Sequence, residues 1–342
     1  MDIRKIQVTG GSSFVLSLPK SWATKHHIQK NDPIGIITQA DGNLLITADI
    51  KGITSQREKE FFLKDYADPD CLFRCLISAY ITGYTAIRIT SKVRIPPEVR
   101  QMVRLYTQMT IGQEVAEEND TSITLKDILN PSEMPLDNTI KRMYTIVKSM
   151  HEDAITALEE KNASLCQDVV SRDNDIDRLH WLINRQYHLI THDPALSRKM
   201  NITAGAAMTF FQISRTIERI ADHAVTIATY VQNLLLLESE TGDSALIDTE
   251  TIQVFRKADE LALTIFKRSM RSFYDRNIYE ANAGIVSLRD LTVLYKELKA
   301  LSIQKRSPAS IYFGYIANSI ARIGEYSSDI SEIVINHCIG EE

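Results

Sequence analysis

The sequence predicts an α+β chain of several domains: a short-stranded N-terminal module, a small α/β layer, and an all-α half built as two three-helix bundles in tandem. Three observations predict it. Apolar residues alternate in short runs up to about residue 50, and strand and helix patterns then alternate up to about residue 130. From about residue 135 onward the long segments keep an apolar period of 3.6 residues. At 342 residues the chain is long enough for two or three hydrophobic cores.

The first region, residues 1–52, reads as strands in "RKIQVTG", "FVLSLP", "PIGIITQA" and "NLLITA", with one short helix, "KSWATKH", after Pro19. Gly10-Gly11 and Asp41-Gly42-Asn43 supply the turns, the second being a strong hairpin signal. So small a sheet buries little apolar surface and is expected to need a second copy. In residues 53–130 the order is β-α-β-α-β-β: "EKEFFLKDY", a helix through "DPDCLFRCLISAYITG" stopped by Gly83, "TAIRIT", a helix opened by prolines in "PPEVRQMVRLYTQM", and a closing hairpin from "GQEVAEE" and "SITLKDI". It contains no glycine-rich phosphate loop and no nucleophile motif, so it reads as a connector or sensor.

Residues 131–342 carry an internal repeat, 131–240 and 245–342. "TIERIADHAVTIA" at 216–228 aligns with "SIARIGEYSSDIS" at 319–331, and two further helices precede each copy: 138–160 and 165–190, then about 249–275 and 278–303. Two three-helix units is the economical architecture.

Charge and composition narrow the function. A net charge of −5 argues against a chain that binds nucleic acid over its whole surface, yet leaves room for a basic module. From Ile3 to Asn31 there are five Lys or Arg (Arg4, Lys5, Lys20, Lys25, Lys30) and no acid. Such a patch can neutralise several DNA phosphates, with salt-sensitive affinity. No apolar run approaches the ~20 residues of a bilayer span, since "LLLL" stops at Glu238, and "MDIRKIQV" enters a strand pattern directly. A cytoplasmic protein without an integral membrane segment is expected. The four cysteines, Cys71, Cys75, Cys166 and Cys338, are too sparse for a disulfide framework and are expected as buried free thiols.

The candidate site lies in the first repeat. Ile213, Ile217, Ile220, Ala224 and Ile227 form a packing stripe, and Glu218 and Asp222 stand one turn apart outside it. On the preceding helix Asp173 and Asp177 are again one turn apart, beside Ile176 and Leu179 and in line with His180 and Asn184, whereas Asp175 is off that line. A solvated helix face is the plain alternative. An acidic seam bordering a core needs a cation, which Arg172, Arg178 or Arg219 could supply, or a divalent or ferric ion held by carboxylate oxygens from facing helices. His188 and His192 also stand four apart, but Leu189 follows the first, so the H-E-x-x-H of a zinc protease is missing.

Two resemblances extend this reading. "ERIADHA", with "DNDIDRL" upstream, resembles the PhoU family of phosphate-signalling regulators, whose two three-helix repeats carry metal clusters on E(D)-x-x-x-D motifs. The resemblance implies a metal ion (Fe, Zn, Mn or Mg) on Asp173, Asp177, Glu218 and Asp222. In the second repeat Ala321 takes the place of Glu218 and Glu325 that of Asp222, leaving Asp290, Glu325 and Asp329 as a weaker ligand set. "VTGGSSFVLSLPKSWATKHHIQKNDPIGIITQADGNLLI" is similar to SpoVT/AbrB-type domains, in which two chains interleave into one swapped-hairpin β-barrel that binds DNA. The pairing of both modules resembles archaeal phosphate uptake regulators. It implies a cytoplasmic homodimer that binds DNA and relays phosphate status to transporter or signalling proteins, and not an enzyme. Two other functions are consistent with the same residues: a metal-dependent phosphate-ester hydrolase on the same carboxylates, and a structural adaptor dimerised by its first module without DNA binding.

Overall fold

A computed structural model describes residues 3–11, 13–38, 42–48, 57–66, 68–243 and 246–340. The chain divides into two compact units, Met1–Ser55 and Gln56–Glu342.

In the first unit β1 (Gln7–Thr9) pairs antiparallel with β2 (Ser13–Val15), placing Gln7 opposite Val15 across the Gly10-Gly11 turn, where φ is +64° and +84°. After α1 (Lys20–Lys25), β3 (Gly35–Thr38) pairs antiparallel with β4 (Leu44–Thr47). Asp41 of the expected second turn lies outside the described residues. The two hairpins are separate two-stranded sheets, and none of the described residues here is buried. The expected barrel is therefore not closed within one chain. Strands of three or four residues present one apolar face each and find no second layer of their own.

The second unit opens with the β-α-β-α-β-β layer: β5 (Glu58–Phe62), α2 (Pro69–Ile81), β6 (Ala86–Thr90), α3 (Pro97–Met109), β7 (Gln113–Glu118) and β8 (Ser122–Asp127). The sheet order is β5-β6-β8-β7, with β5 parallel to β6 and the other pairs antiparallel. Alternation decides the core. Phe61, Ile87, Ile89, Ile123 and Leu125 face Leu72, Leu76, Tyr80, Val103 and Tyr106, while Arg88 and Lys126 stay exposed. Asp68 caps α2 by accepting from the Asp70 N–H at 3.0 Å. Just beyond α2, Gly83 takes φ +88°, and a Cβ there would stand 2.8 Å from Leu189 Cδ2. Glycine is needed at that point for both its conformation and its size.

The rest is helical: α4 (Leu136–Glu160), α5 (Ala163–His192), α6 (Pro194–Met200), α7 (Ala204–Thr241), α8 (Thr249–Asp275), α9 (Ile278–Gln304) and α10 (Ala309–Gly340). Short α6 interrupts the first repeat where "THDP" reads as a plain break, because Pro194 starts a new helix with Asp193 capping it through the Ala195 and Leu196 N–H groups. Side-chain caps from Asn162, Thr203, Asp248 and Asn277 set the starts of α5, α7, α8 and α9. The α7 stripe Ile213, Ile217, Ile220, Ala224 and Ile227 is fully buried against α4, α5 and α10, so α7 is the central helix. By length and composition α7 is the one described helix able to cross a membrane, and these core residues fill it instead with contacts to the bundle. Of the cysteines Cys166 alone is buried. Cys71 is exposed and Cys75 and Cys338 half-buried, because their helix positions border rather than enter the cores.

Candidate metal centre

The four carboxylates of the first repeat come together between α5 and α7. Asp173, Asp177 and Glu218 are half-buried and Asp222 is exposed at the mouth. Burial, then the charges of Asp222, Asp177 and Asp173, push the Glu218 carboxyl up to about 7, with Arg219 opposing. Burial and then Asp173 and Asp222 push Asp177 up to about 6. Asp222 is raised by burial and by Asp173, and Asp173 by burial alone. These are like charges crowded at a low-dielectric border, the arrangement that disfavours ionisation.

The arginines do not neutralise the seam. Arg172 turns away to Asp153 at 2.5 Å and Asp168 at 2.9 Å, and Arg178 pairs with Asp175 at 3.7 Å. Arg219 lies over the Tyr326 ring, 5.8 Å from its centroid. Asp173 Oδ1 is buried without a hydrogen-bond partner. Among the described residues, no three His, Cys, Asp or Glu side chains close on a common metal-sized centre, so the four form a seam rather than a finished ligand shell.

His180, on the Asp173–Asp177 line, sits at the edge of this seam. Its Nδ1 lies 3.0 Å from Ser214 Oγ, and that hydroxyl already donates to the Phe211 carbonyl at 2.8 Å. The imidazole therefore donates from Nδ1, which leaves the lone pair on Nε2. Burial and then Arg215 lower its pKa to about 4, so it is neutral.

The weaker set of the second repeat is not brought together. Asp290, Glu325 and Asp329 are all exposed, and Glu325 bonds Arg322 at 2.6 Å. Burial and then Glu332 and Glu325 raise Asp329, with Arg219 opposing, and Asp290 is not among the causes. The physical reason lies beside them. A Cβ at Gly324, the counterpart of Ala221, would stand 2.1 Å from Leu291 Cδ2, so leucines pack against a bare helix backbone where the first repeat has its carboxylates.

Arg4, Lys5, Lys20, Lys25 and Lys30 are all exposed in the first unit, Lys20 and Lys25 at the two ends of α1. Ile3, Ile6, Val8, Phe14, Ile36 and Leu44 of the same unit expose apolar surface.

Sequence reading passes over two buried polar constellations. Arg185 of α5 reaches the α/β layer, donating to the Tyr80 and Tyr84 carbonyls and to Asp127. Between the repeats, His151 of α4 bonds the Ile220 carbonyl through Nε2 at 2.8 Å and places Nδ1 4.0 Å from Asp259 Oδ1 of α8. The one available signal was a charged residue inside an apolar stripe: Arg185 among Leu182, Ile183 and Ile190, and Asp259 among Phe255, Ala258 and Ala262.

Comparison with known proteins agrees with the fold. Residues 140–231 match the PhoU domain family, and residues 7–53 match the family described as antidote-toxin recognition MazE, bacterial antitoxin. Over 214 residues the chain is 28% identical to the phosphate-specific transport system accessory protein PhoU homolog of Caulobacter vibrioides, covering 59% of this chain and 86% of that one. It is 22% identical over 216 residues to the protein of the same description from Clostridium acetobutylicum, covering 60% and 92%. The crystal structure of PhoU from Pseudomonas aeruginosa superposes with a TM-score of 0.51 at 20% identity, over 60% of this chain and 96% of that one, and shares its fold. The chain thus holds a segment similar to the PhoU domain within its helical half, which has the fold of a PhoU protein, and a MazE/AbrB-like segment at residues 7–53.

Proposed function

We propose that the protein is a cytoplasmic regulator of phosphate uptake that binds DNA as a homodimer through its N-terminal domain. Its helical repeats hold a metal ion and dock on a phosphate transporter or a signalling protein. The relatives named as accessory proteins of phosphate-specific transport support the physiological setting. Support for DNA contact comes from the exposed basic residues Arg4, Lys5, Lys20, Lys25 and Lys30, and support for pairing from the uncovered apolar strand residues beside them.

The observation that carries the metal assignment is a seam of crowded carboxylates with which, among the described residues, no arginine forms an ion pair, Arg219 opposing the rise of Glu218 and Asp222 only in part. Asp173, Asp177, Glu218 and Asp222 offer only oxygen donors, neighbouring carboxylates add to burial in raising Asp177, Glu218 and Asp222, and Asp173 Oδ1 has no hydrogen-bond partner. That donor set fits a hard or borderline divalent or ferric ion, which would ionise the carboxylates and draw α5 and α7 together. Purified wild-type protein should retain metal in elemental analysis, and Asp173→Ala with Glu218→Ala should lose it. Equal metal content in the double variant would remove the assignment.

A further inference from the structure

We infer that α9 is a contact helix between two copies of this chain, packed parallel along its outward face. The observation is that α9 is apolar on two sides. Its inward side, Ala281, Gly284, Leu291 and Leu298, is buried against its own bundle. Its outward side carries Tyr279, Val286 and Val293 at strict seven-residue spacing, continued by Ala300. Tyr279 is 88%, Val286 49% and Val293 65% exposed. An outer helix normally keeps one apolar stripe and turns charges to water; two stripes imply two neighbours.

Charge selects the occupant. On the helical wheel Arg289 and Lys296 line one flank of the Val286–Val293 row, and Asp290 and Glu297 line the other. All four are exposed, and none forms an ion pair among the described residues. When two such helices pack parallel about a two-fold axis, the positive flank of each meets the negative flank of the other. Packed antiparallel, like would meet like. The face is thus complementary to itself in one orientation. The inference also accounts for Asp290, which borders this row instead of joining the second-repeat carboxylates. It is independent of pairing through the N-terminal domain, and the experiment separates the two.

The test uses the full chain with the exposed Cys71 changed to Ser. Val293→Cys is treated with a short bismaleimide, and linked peptides are mapped by mass spectrometry. A parallel pair brings each position 293 against its counterpart, so a 293–293 link between copies is expected. Its yield should be at least about tenfold above the same link in Thr292→Cys, which points away from the row. Arg289→Glu with Lys296→Glu should lower the 293–293 yield roughly tenfold, and adding Asp290→Lys with Glu297→Lys should restore it. Equal yields at 292 and 293, links from 293 to another segment, or indifference to charge reversal would each overturn the proposal. A 293–293 link that persists when the N-terminal domain fails to pair would uphold it alone.

Discussion

Arg185 and Asp127 form a buried ion pair, at 2.5 Å, that fastens the central sheet to the helical repeats. Both side chains are almost fully enclosed, 3% and 8% exposed. The same guanidinium bonds the Tyr80 and Tyr84 carbonyls and lies 4.8 Å from the Tyr80 ring centroid. Because α5 also carries Asp173 and Asp177, this anchor fixes the frame in which the acidic seam is held.

The pair makes a sharp prediction about stability. Arg185→Ala strands a carboxylate and two carbonyls in the interior and should cost about 3–5 kcal/mol. Adding Asp127→Leu to Arg185→Met removes the stranded charge and should recover part of that loss. Chemical denaturation of the three proteins measures this. A loss in Arg185→Ala no larger than about 0.5 kcal/mol, the scale of a surface change, would show that the anchor is not structural.

The seam sets a pH dependence whose sign follows from its raised carboxyls. In the metal-free protein Glu218 titrates at about 7 and Asp177 at about 6, above their unfolded values near 4.5 and 3.8. At these two carboxyls the folded state holds more protons than the unfolded state, so their contribution to stability falls as pH rises from about 5 to 8, while buried His151 and His180, lowered from 6.5 to about 4, contribute with the opposite sign below 6.5. Asp259, fully buried and raised well above its ordinary range, contributes with the same sign as Glu218 and Asp177. Glu218→Gln should flatten the melting-temperature profile in part, and Glu218→Gln with Asp259→Asn further. Added divalent cation should restore stability at pH 8 in wild type, since the ion binds the folded seam, but much less in Glu218→Gln. A difference in melting temperature between wild type and Glu218→Gln that stays constant from pH 5 to 8 without metal would contradict the assignment.

Electrostatic binding by the N-terminal domain should show in its salt dependence. Retardation of duplex DNA should weaken steeply between low and moderate salt. Arg4→Ala with Lys20→Ala should reduce the slope of log K against log [salt] by about 1.8, for two phosphate contacts of ~0.9 each. If the wild type shows no salt-dependent retardation, the domain serves pairing alone.

Much of this protein was legible along the chain because its elements are locally specified. The α7 stripe follows from period alone, and the β-α-β-α-β-β order follows from alternation, prolines and Gly83. The starts of α5, α7, α8 and α9 follow from their capping residues. The two carboxylate pairs were visible too, because one-turn spacing puts them on one helix side regardless of what lies opposite.

What faces a helix is not written in its own sequence. Whether Arg172 would serve the seam depended on where α4 places Asp153, which drew it away, whereas its pair with Asp168 and that of Arg178 with Asp175 follow from one-turn spacing on α5 itself. Leu291 against Gly324, rather than acid, at the matching place of the second repeat is likewise a matter of how closely α9 and α10 approach. The Arg185–Asp127 anchor joins residues 58 positions apart, and His151 reaches Ile220 over 69. The sequence by itself determined most of the elements, though not α6, together with the repeat and the candidate acids. The tertiary structure decided which charges are neutralised and which stay crowded, because charge and burial act through space, while periodicity acts along the chain.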